Sequence, residues 1–480
     1  MMRYCMLVYI SKMVSTLLEA ARYLRTAPVD GMGMELLENG RRMLAQIREV
    51  LESGHEDSAL SQLTEIETLW KHSGAGLEEQ LEMFLSELPE RVSYRVRAVF
   101  FAELGEKWDA MSSVYEFMRD DPRFDPIVVR TPVGRVVTRN GKREQEVIYK
   151  DFLTPMGVPS FGYDEYDIET DCPELAFISQ PYEGCTLEQF WPETLAKHTR
   201  LVYIPYFLPA IVLEDYPTVL CRMRVYDVAW KVIGSNQKHY KYYCRYARHG
   251  GANMLVTGVP KIDPVIRLRG KEVPIPAGWE CLHGRKTFLW NTWYNIDASS
   301  LCFFDDIFGW FASHQDCALI WRLHPMTDTI TKLYSPEAYG QLQGYIQSVE
   351  KAPNMVVDRE VSFEPSFACS DAQISDHSSM MHQYLLMDKP LLWFQNLTAS
   401  MTGETLIGCD WMEQTGQLSG ILAFLERIRC GEDRNVQLRK QTVEQDLPTA
   451  DGHCGERVCE ALWEALHQDD GIPCKEIPLS

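Results

Sequence analysis

From about Ser15 to His72 apolar residues recur at the three-and-four spacing of an amphipathic helix, as in Leu36, Leu37, Met43, Leu44, Ile47 and Leu51. Gly31 and Gly33 punctuate one break, and Ser53 and Gly54 another. The pattern predicts an antiparallel helical module over residues 1–90 rather than a catalytic lobe. At Val92 the period changes, and SYRVRAVFFAEL alternates and then runs apolar before Gly105, as a strand covered on both faces does. KWDAMSSVYEFMRDD returns to helical spacing through Met111, Val114, Tyr115 and Met118. Strand, loop and helix in that order open a doubly wound sheet.

The alternation continues through FDPIVVRTP, a loop around Asn140 and Gly141, a helix expected near Gln145 to Met156, and the strands LAFISQPY and RLVYIPYF. VAWKVIGS and NMLVTGVP read as further strands around a helix that holds Tyr240 and Tyr243. A second series begins at Lys286. Its strands are KTFLWNTWY, CALIWRLHP, NMVVD, DAQISD and KPLLWF, with helices expected at about Phe304 to His314, Pro336 to Val349 and Ser378 to Met387. Repeated β-then-α order predicts parallel strands with right-handed crossovers. The fold class is α/β: two Rossmann-like lobes, residues 91–257 and 258–450, preceded by the helical module. A C-terminal helix and tail, 451–480, is expected to pack back across the lobes. Ligands in such folds bind at the carboxyl ends of the strands, here in a cleft between the lobes.

The chain is long enough for several cores, and a hydrophobic share of 45% with 24% charged residues is that of an ordered globular protein. A formal net charge of -21 opposes non-specific attraction to nucleic acid or to an anionic membrane surface. The 14 cysteines are scattered without a C-x-x-C pair, which fits reduced thiols better than disulfides or a zinc site. The N-terminal MMRYCMLVYISKMV is interrupted by Arg3 and Lys12 and has no small-residue cleavage site, so it reads as neither a secretory signal nor a membrane span. The apolar run Leu201 to Leu213 is too short to span a bilayer and contains Pro205 and Pro209.

Four strand ends carry candidate chemistry. In ISDHSS a strand ends at Ser375 and Asp376, and a helix start beside Ser378 and Ser379 suits a phosphate or pyrophosphate; Asp376 or Ser378 also suits a plain helix cap. In CALIWRLHPM a strand delivers Arg322 and His324, a guanidinium and an imidazole able to hold a diphosphate and to protonate or stabilise its leaving oxygen. After NMLVTGVP, Gly258 would permit close backbone approach and Lys261 could neutralise phosphate charge, although turn chemistry favours a simple interdomain turn. After the first strand come Lys107, Trp108 and Asp109, the last a base or a helix cap and the tryptophan a packing residue.

The segments TGVPKID, KTFLWNTWYNID, FDDIFGWFASHQDCALIWRLHPM, ISDHSSMMHQYLLMDKPLLWF and DGHCGERV together resemble the CDP-glycerol glycerophosphotransferase family, which makes teichoic-acid-type polymers. The resemblance runs from about Arg91 to Glu456 and is closest from Val256 to Phe394. It implies a GT-B-type transferase that moves a glycerol phosphate or related polyol phosphate from a CDP-linked donor to an acceptor hydroxyl in cell-surface polymer synthesis, with no metal or other cofactor. It also implies donor-phosphate contacts for Arg322, His324, Asp376, Ser378 and Ser379. Two departures stand out. The family's His-Gly base motif of the first lobe has no counterpart where the chain reads YIPYF; His249 and Gly250 spell the pair, but just before NMLVTGVP. The family's acidic residue after the serine pair is Gln383, beside His382, and its Pro-Thr-Trp-Arg is Asn291, Thr292, Trp293 and Tyr294.

The expected function is therefore donor binding by the second lobe and acceptor binding by the first, with Asp109, His249 and His239 as alternative bases and His324 at the leaving group. Expected donor-site residues are Gly258, Lys261, Arg322, His324, Ser375, Asp376, Ser378 and Ser379. A nucleotide-sugar glycosyltransferase and a non-catalytic scaffold retaining the fold remain alternatives. Expected partners are a CDP-polyol donor and a polyol phosphate or glycan acceptor, with no nucleic acid. The expected location is cytoplasmic; peripheral contact with the inner face of the membrane and self-association through the N-terminal helices are left open.

Overall fold

Period-two alternation in the central strands sends successive side chains to opposite faces, and both faces are covered. In the strand Lys286–Thr292, Leu289 enters one apolar cluster while Phe288 and Trp290 enter another. In Cys317–Leu323, Ala318 and Ile320 go one way and Leu319 and Trp321 the other. The first lobe repeats the device, with Val96, Ala98 and Phe100 on one face and Val99 and Phe101 on the other. The computed structural model describes residues 1–26, 31–72, 75–139, 142–149, 151–214, 217–271, 273–294, 298–395 and 401–468.

In chain order the strands are β1 (Met2–Arg3), β2 (Tyr94–Ala102), β3 (Phe124–Arg130), β4 (Val133–Arg139), β5 (Lys142–Ile148), β6 (Phe161–Gly162), β7 (Leu175–Ile178), β8 (Arg200–Tyr203), β9 (Ile211–Leu213), β10 (Lys231–Gly234) and β11 (Met254–Val256). The second lobe adds β12 (Lys286–Thr292), β13 (Cys317–Leu323), β14 (Met355–Val357), β15 (Ala372–Ser375), β16 (Leu391–Phe394), β17 (Met401–Thr405) and β18 (Glu413–Thr415). The first sheet runs β11-β10-β8-β7-β2-β3-β6 and the second β14-β13-β12-β15-β16-β18, each parallel throughout. Both orders turn back at an internal pair, β2/β7 and β12/β15, the switch points at which such sheets open a ligand crevice. The antiparallel pairing of β9 with β17 joins the lobes.

One expected element is replaced. The helix anticipated near Gln145 to Met156 is instead β5, paired antiparallel with β4, followed by a single 3-10 turn at Thr154–Met156. The signal was the Asn-Gly dipeptide between two β-rich runs, which favours a hairpin over a helix. Asn140 and Gly141 themselves lie outside the described residues.

The N-terminal module consists of α1 (Tyr4–Thr26), α2 (Gly31–Ser53), α3 (Asp57–His72) and α4 (Leu77–Arg91). It does not pack as a separate unit. Ile10, Leu17, Ile47, Trp70 and Phe84 share one apolar cluster with Val96 and Phe100 of β2. The buried Glu174 carboxylate accepts from Cys5 N at 3.0 Å and Arg97 N at 2.7 Å, tying the start of α1 to β2. By length and composition α1 is also apolar enough to cross a bilayer, and half of the qualifying window is buried inside the fold. The C-terminal helix Cys454–Gln468 crosses back to the first lobe, where Val458, Leu462 and Leu466 join the same cluster.

Candidate functional site

Three neighbouring strands of the second sheet bring their carboxyl ends together. Asp376 N donates to Asn291 O at 3.0 Å, and His324 N donates to Thr292 O at 3.1 Å, so the loops after β15 and β13 flank the loop after β12. Asp376 is turned into the lobe: its carboxylate accepts from Trp293 N at 2.7 Å and Ser300 N at 2.9 Å. Burial raises its pKa to about 6 against the pull of those amides. It shapes the loop instead of facing the cleft. Ser375 is likewise occupied, its hydroxyl donating to Asp376 O at 2.7 Å.

Ser378 behaves as a local cap, accepting from Met380 N at 3.2 Å. Ser379 stands at the head of the helix Met380–Tyr384 and its side chain caps nothing. The α-helical part is a single turn that a 3-10 turn, Leu385–Met387, carries on to the expected end, so its dipole is small. Both serines, with His377 and His382, line a small pocket whose other wall is Phe207–Ile211, the segment that leads from β8 into β9.

His324 accepts from Met326 N at Nδ1, 3.1 Å, which leaves its proton on Nε2. Its ring packs against Tyr294 at 5.2 Å, and burial lowers its pKa to about 4. It is a neutral N–H donor near pH 7, able to stabilise a leaving oxygen but not to arrive as a cationic acid.

Arg322 is buried. Its guanidinium meets the Asp358 carboxylate at 2.5 Å and donates to Ser362 O and Val361 O, each at 3.2 Å. Lys261 follows β11 on the opposite side, its Nζ donating to Glu106 O at 3.4 Å and lying 4.0 Å from Asp109 Oδ2. Burial pushes the Lys261 ammonium down and the Asp109 carboxyl up; the charges of Lys261 and Arg322 act against that rise. The structure thus brings Asp109, Lys261 and Arg322 into one cluster between the lobes. Trp108 is packed against Tyr115 and Phe100.

Three expected residues have other work. Gly258 has φ +84°, and a side chain there would meet Thr449 and Cys454 at 2.5 and 2.6 Å, so it is the interdomain turn against which the C-terminal segment closes. His249 lies in the loop that enters β11, at the amino edge of the sheet, where it is exposed and bonded to Asp227 O at 2.9 Å. In a parallel sheet that edge is remote from the carboxyl edge, which takes His249 out of the cleft. His239 is buried on the helix Gln237–Tyr246, accepts from Ser235 N at 3.2 Å, and has its pKa lowered to about 4 by burial.

Sequence reasoning passed over Glu103 and Gln180, which follow β2 and β7 at the first switch point; polar residues directly after buried strands were the available signal. Among the described residues no cluster of three or more His, Cys, Asp or Glu side chains could hold a metal ion, and all described cysteines are free.

Comparison with known proteins follows the same lines. Among curated proteins, none matches the sequence significantly. The S. aureus MnaA-UDP co-structure is similar in fold, with 13% identity and a TM-score of 0.53 over 79% of this chain and 99% of that one. A UDP-GlcNAc 2-epimerase of Methanocaldococcus jannaschii, in complex with UDP-GlcNAc and UDP, gives 9% identity and 0.51 over 77% and 100%. The wall teichoic acid polymerase TagF gives 12% and 0.48 over 86% and 98%. The first two likenesses speak to the two-lobed GT-B-type fold. Residues 214–464, just over half the chain, match one family profile. This chain, with Lys261, Arg322, His324 and the Ser378–Ser379 turn all inside the matched span, belongs to the CDP-glycerol:poly(glycerophosphate) glycerophosphotransferase family.

Proposed function

We propose that the chain transfers a glycerol phosphate, or a related polyol phosphate, from a CDP-linked donor held by the second lobe to an acceptor hydroxyl held by the first, in the synthesis of a cell-surface polymer. The observation that carries this reading is the β13-β12-β15 edge, with His324 on one side and Ser379 on the other. Strands two places apart are about 10 Å from each other, a span suited to a nucleoside diphosphate ester lying across the switch point. His324 Nε2–H and the Ser379 hydroxyl would donate to the diphosphate. Arg322 and Lys261 would supply positive charge across the cleft as the β-phosphate is attacked in line.

Asp109 fits better as a counter-ion than as the base, because it faces Lys261 and Arg322. Asp376 and Ser375 act by positioning the loop. Because side-chain cations occupy the cleft, the reading uses no metal. The free thiols support a reducing compartment, and we place the chain on the cytoplasmic side of the membrane.

A calorimetric screen of CDP-glycerol, CDP-ribitol, CDP-choline and UDP-sugars tests the reading. A CDP-polyol should bind at least about tenfold more tightly than any UDP-sugar, a difference of about 1.4 kcal/mol. Preference for a UDP-sugar would move the assignment to sugar transfer. Donor binding without turnover on any acceptor would leave a binding protein.

A further inference from the structure

The carboxyl edge of the first sheet carries polar groups that the donor site leaves unused. Glu103 directly follows β2 and Gln180 lies two residues beyond β7, and the strand order turns between these two strands. The Glu103 side chain is 9% exposed, and Lys107 Nζ donates to it at 3.2 Å. Gln180 also bonds to the Glu103 carboxylate. Gln180 is 6% exposed, and its Oε1 is buried without a hydrogen-bond partner. An orphaned buried acceptor is destabilising, and a donor hydroxyl from a ligand would satisfy it.

The same edge abuts the second lobe. A side chain on Gly105 would collide with Val361, whose carbonyl accepts from Arg322 at 3.2 Å. Glu103 therefore lies on the cleft, two residues from the contact with the loop that holds Arg322. Lys107 Nζ sits 5.2 Å from the Tyr206 ring centroid, and Tyr206 occupies the loop after β8 where no His-Gly pair is present.

We propose that this edge is the acceptor subsite: Glu103 takes the proton of the attacking hydroxyl, and Gln180 Oε1 holds a neighbouring hydroxyl of a polyol acceptor. The inference rests on the transferase reading above. As the acceptor oxygen bonds to the donor β-phosphorus, its proton passes to the Glu103 carboxylate. The bond from that phosphorus to the bridging oxygen breaks, and CMP leaves with the electron pair. Burial raises the Glu103 pKa, and Lys107 and Gln180 oppose the rise, so the carboxylate is a stronger base than an exposed one. The groups facing it are Lys107 from the helix Gly105–Trp108 and Gln180 and Cys185 from the loop after β7; Tyr206, from the loop after β8, packs on Lys107.

The test uses the full chain, CDP-glycerol and a short synthetic glycerol-phosphate oligomer as acceptor. Glu103→Gln should bind CDP-glycerol within about twofold of wild type and lose at least about 100-fold in kcat, the lower bound for removing a general base. Gln180→Leu should raise the acceptor KM far more than it lowers kcat. A folded Glu103→Gln enzyme with kcat within about threefold of wild type overturns the inference and leaves the transferase reading standing. Wild-type protein that neither binds CDP-glycerol nor releases CMP overturns the reading itself. Should Glu103→Gln fail to fold, Lys107→Met decides: loss of the ammonium should move the acidic limb of the kcat profile to higher pH, and an unmoved limb overturns the role of Glu103.

Discussion

The Asp376 carboxylate and the Trp293 backbone amide meet at 2.7 Å, fastening the loop after β12 to the end of β15. The second oxygen of the same carboxylate holds Ser300 N, so one side chain fixes both ends of the loop at the switch point. A residue expected to touch the ligand proves to be the one that shapes the loop beside it.

Asp376→Ala should therefore act on both stability and affinity. Two buried amides lose their acceptor, and denaturant unfolding should show a loss of about 1–3 kcal/mol. CDP-glycerol affinity should fall in parallel, and Asp376→Asn, which keeps one acceptor, should fall between the two. Full stability in the alanine variant would show that the loop is held by other contacts.

His324 and Ser379 flank the same strand end and should converge on one diphosphate. His324→Ala and Ser379→Ala should each weaken donor binding by about 1–3 kcal/mol, and the double variant by less or more than their sum. The check is a double-mutant cycle by calorimetry. Strict additivity, or wild-type affinity in both folded single variants, would reduce them to a packed imidazole and an idle serine.

How far the sequence carried depended on what kind of information each residue held. Strand ends were legible because buried parallel strands read as apolar runs, so Arg322, His324 and Ser379 fall where the runs stop. Direction was not legible. Nothing in the order of residues says that Asp376 turns inward while Ser379 is left free, since both follow the same strand. His249 was avoidable: a residue before a parallel strand lies at the edge opposite to one after it. Glu103 was not legible because Gln180, which bonds to it, comes from a strand end distant in the chain and meets it only in the fold.

Buried neutral histidines make stability fall with acid. His239 and His324 have pKa values lowered to about 4 and His382 to about 3, each by burial, and His377 is lowered too. A group with a depressed folded value takes up its proton only on unfolding, so its contribution is complete above about pH 6.5 and shrinks as pH falls below it. Each histidine should cost about 1.4 kcal/mol per pH unit in that window. Asp376, raised to about 6, works in the opposite sense over roughly pH 4–6 and offsets one of them. Urea midpoints should drop steeply from pH 6.5 to 5; a flat profile would contradict the burial of these rings.

The shared core predicts the outcome of truncation. Deleting residues 1–90 uncovers Val96, Ala98 and Phe100 of β2 and removes two partners of Glu174, Arg3 and Cys5 N, so the remainder should be insoluble or lose cooperative unfolding even with CDP-glycerol present. A soluble, cooperatively folding fragment would show the module to be separable.

The central claim is metal-independent transfer of a polyol phosphate. The direct measurement is a time course with radiolabelled CDP-glycerol and a glycerol-phosphate oligomer in excess chelator, following both CMP release and label in the oligomer. Stoichiometric CMP and labelled oligomer without added metal are the predicted result, because in the proposed reading Arg322, Lys261 and His324 would supply the donors and charge at the diphosphate. Transfer that appears only on adding magnesium, or none while a UDP-sugar is consumed, would contradict it.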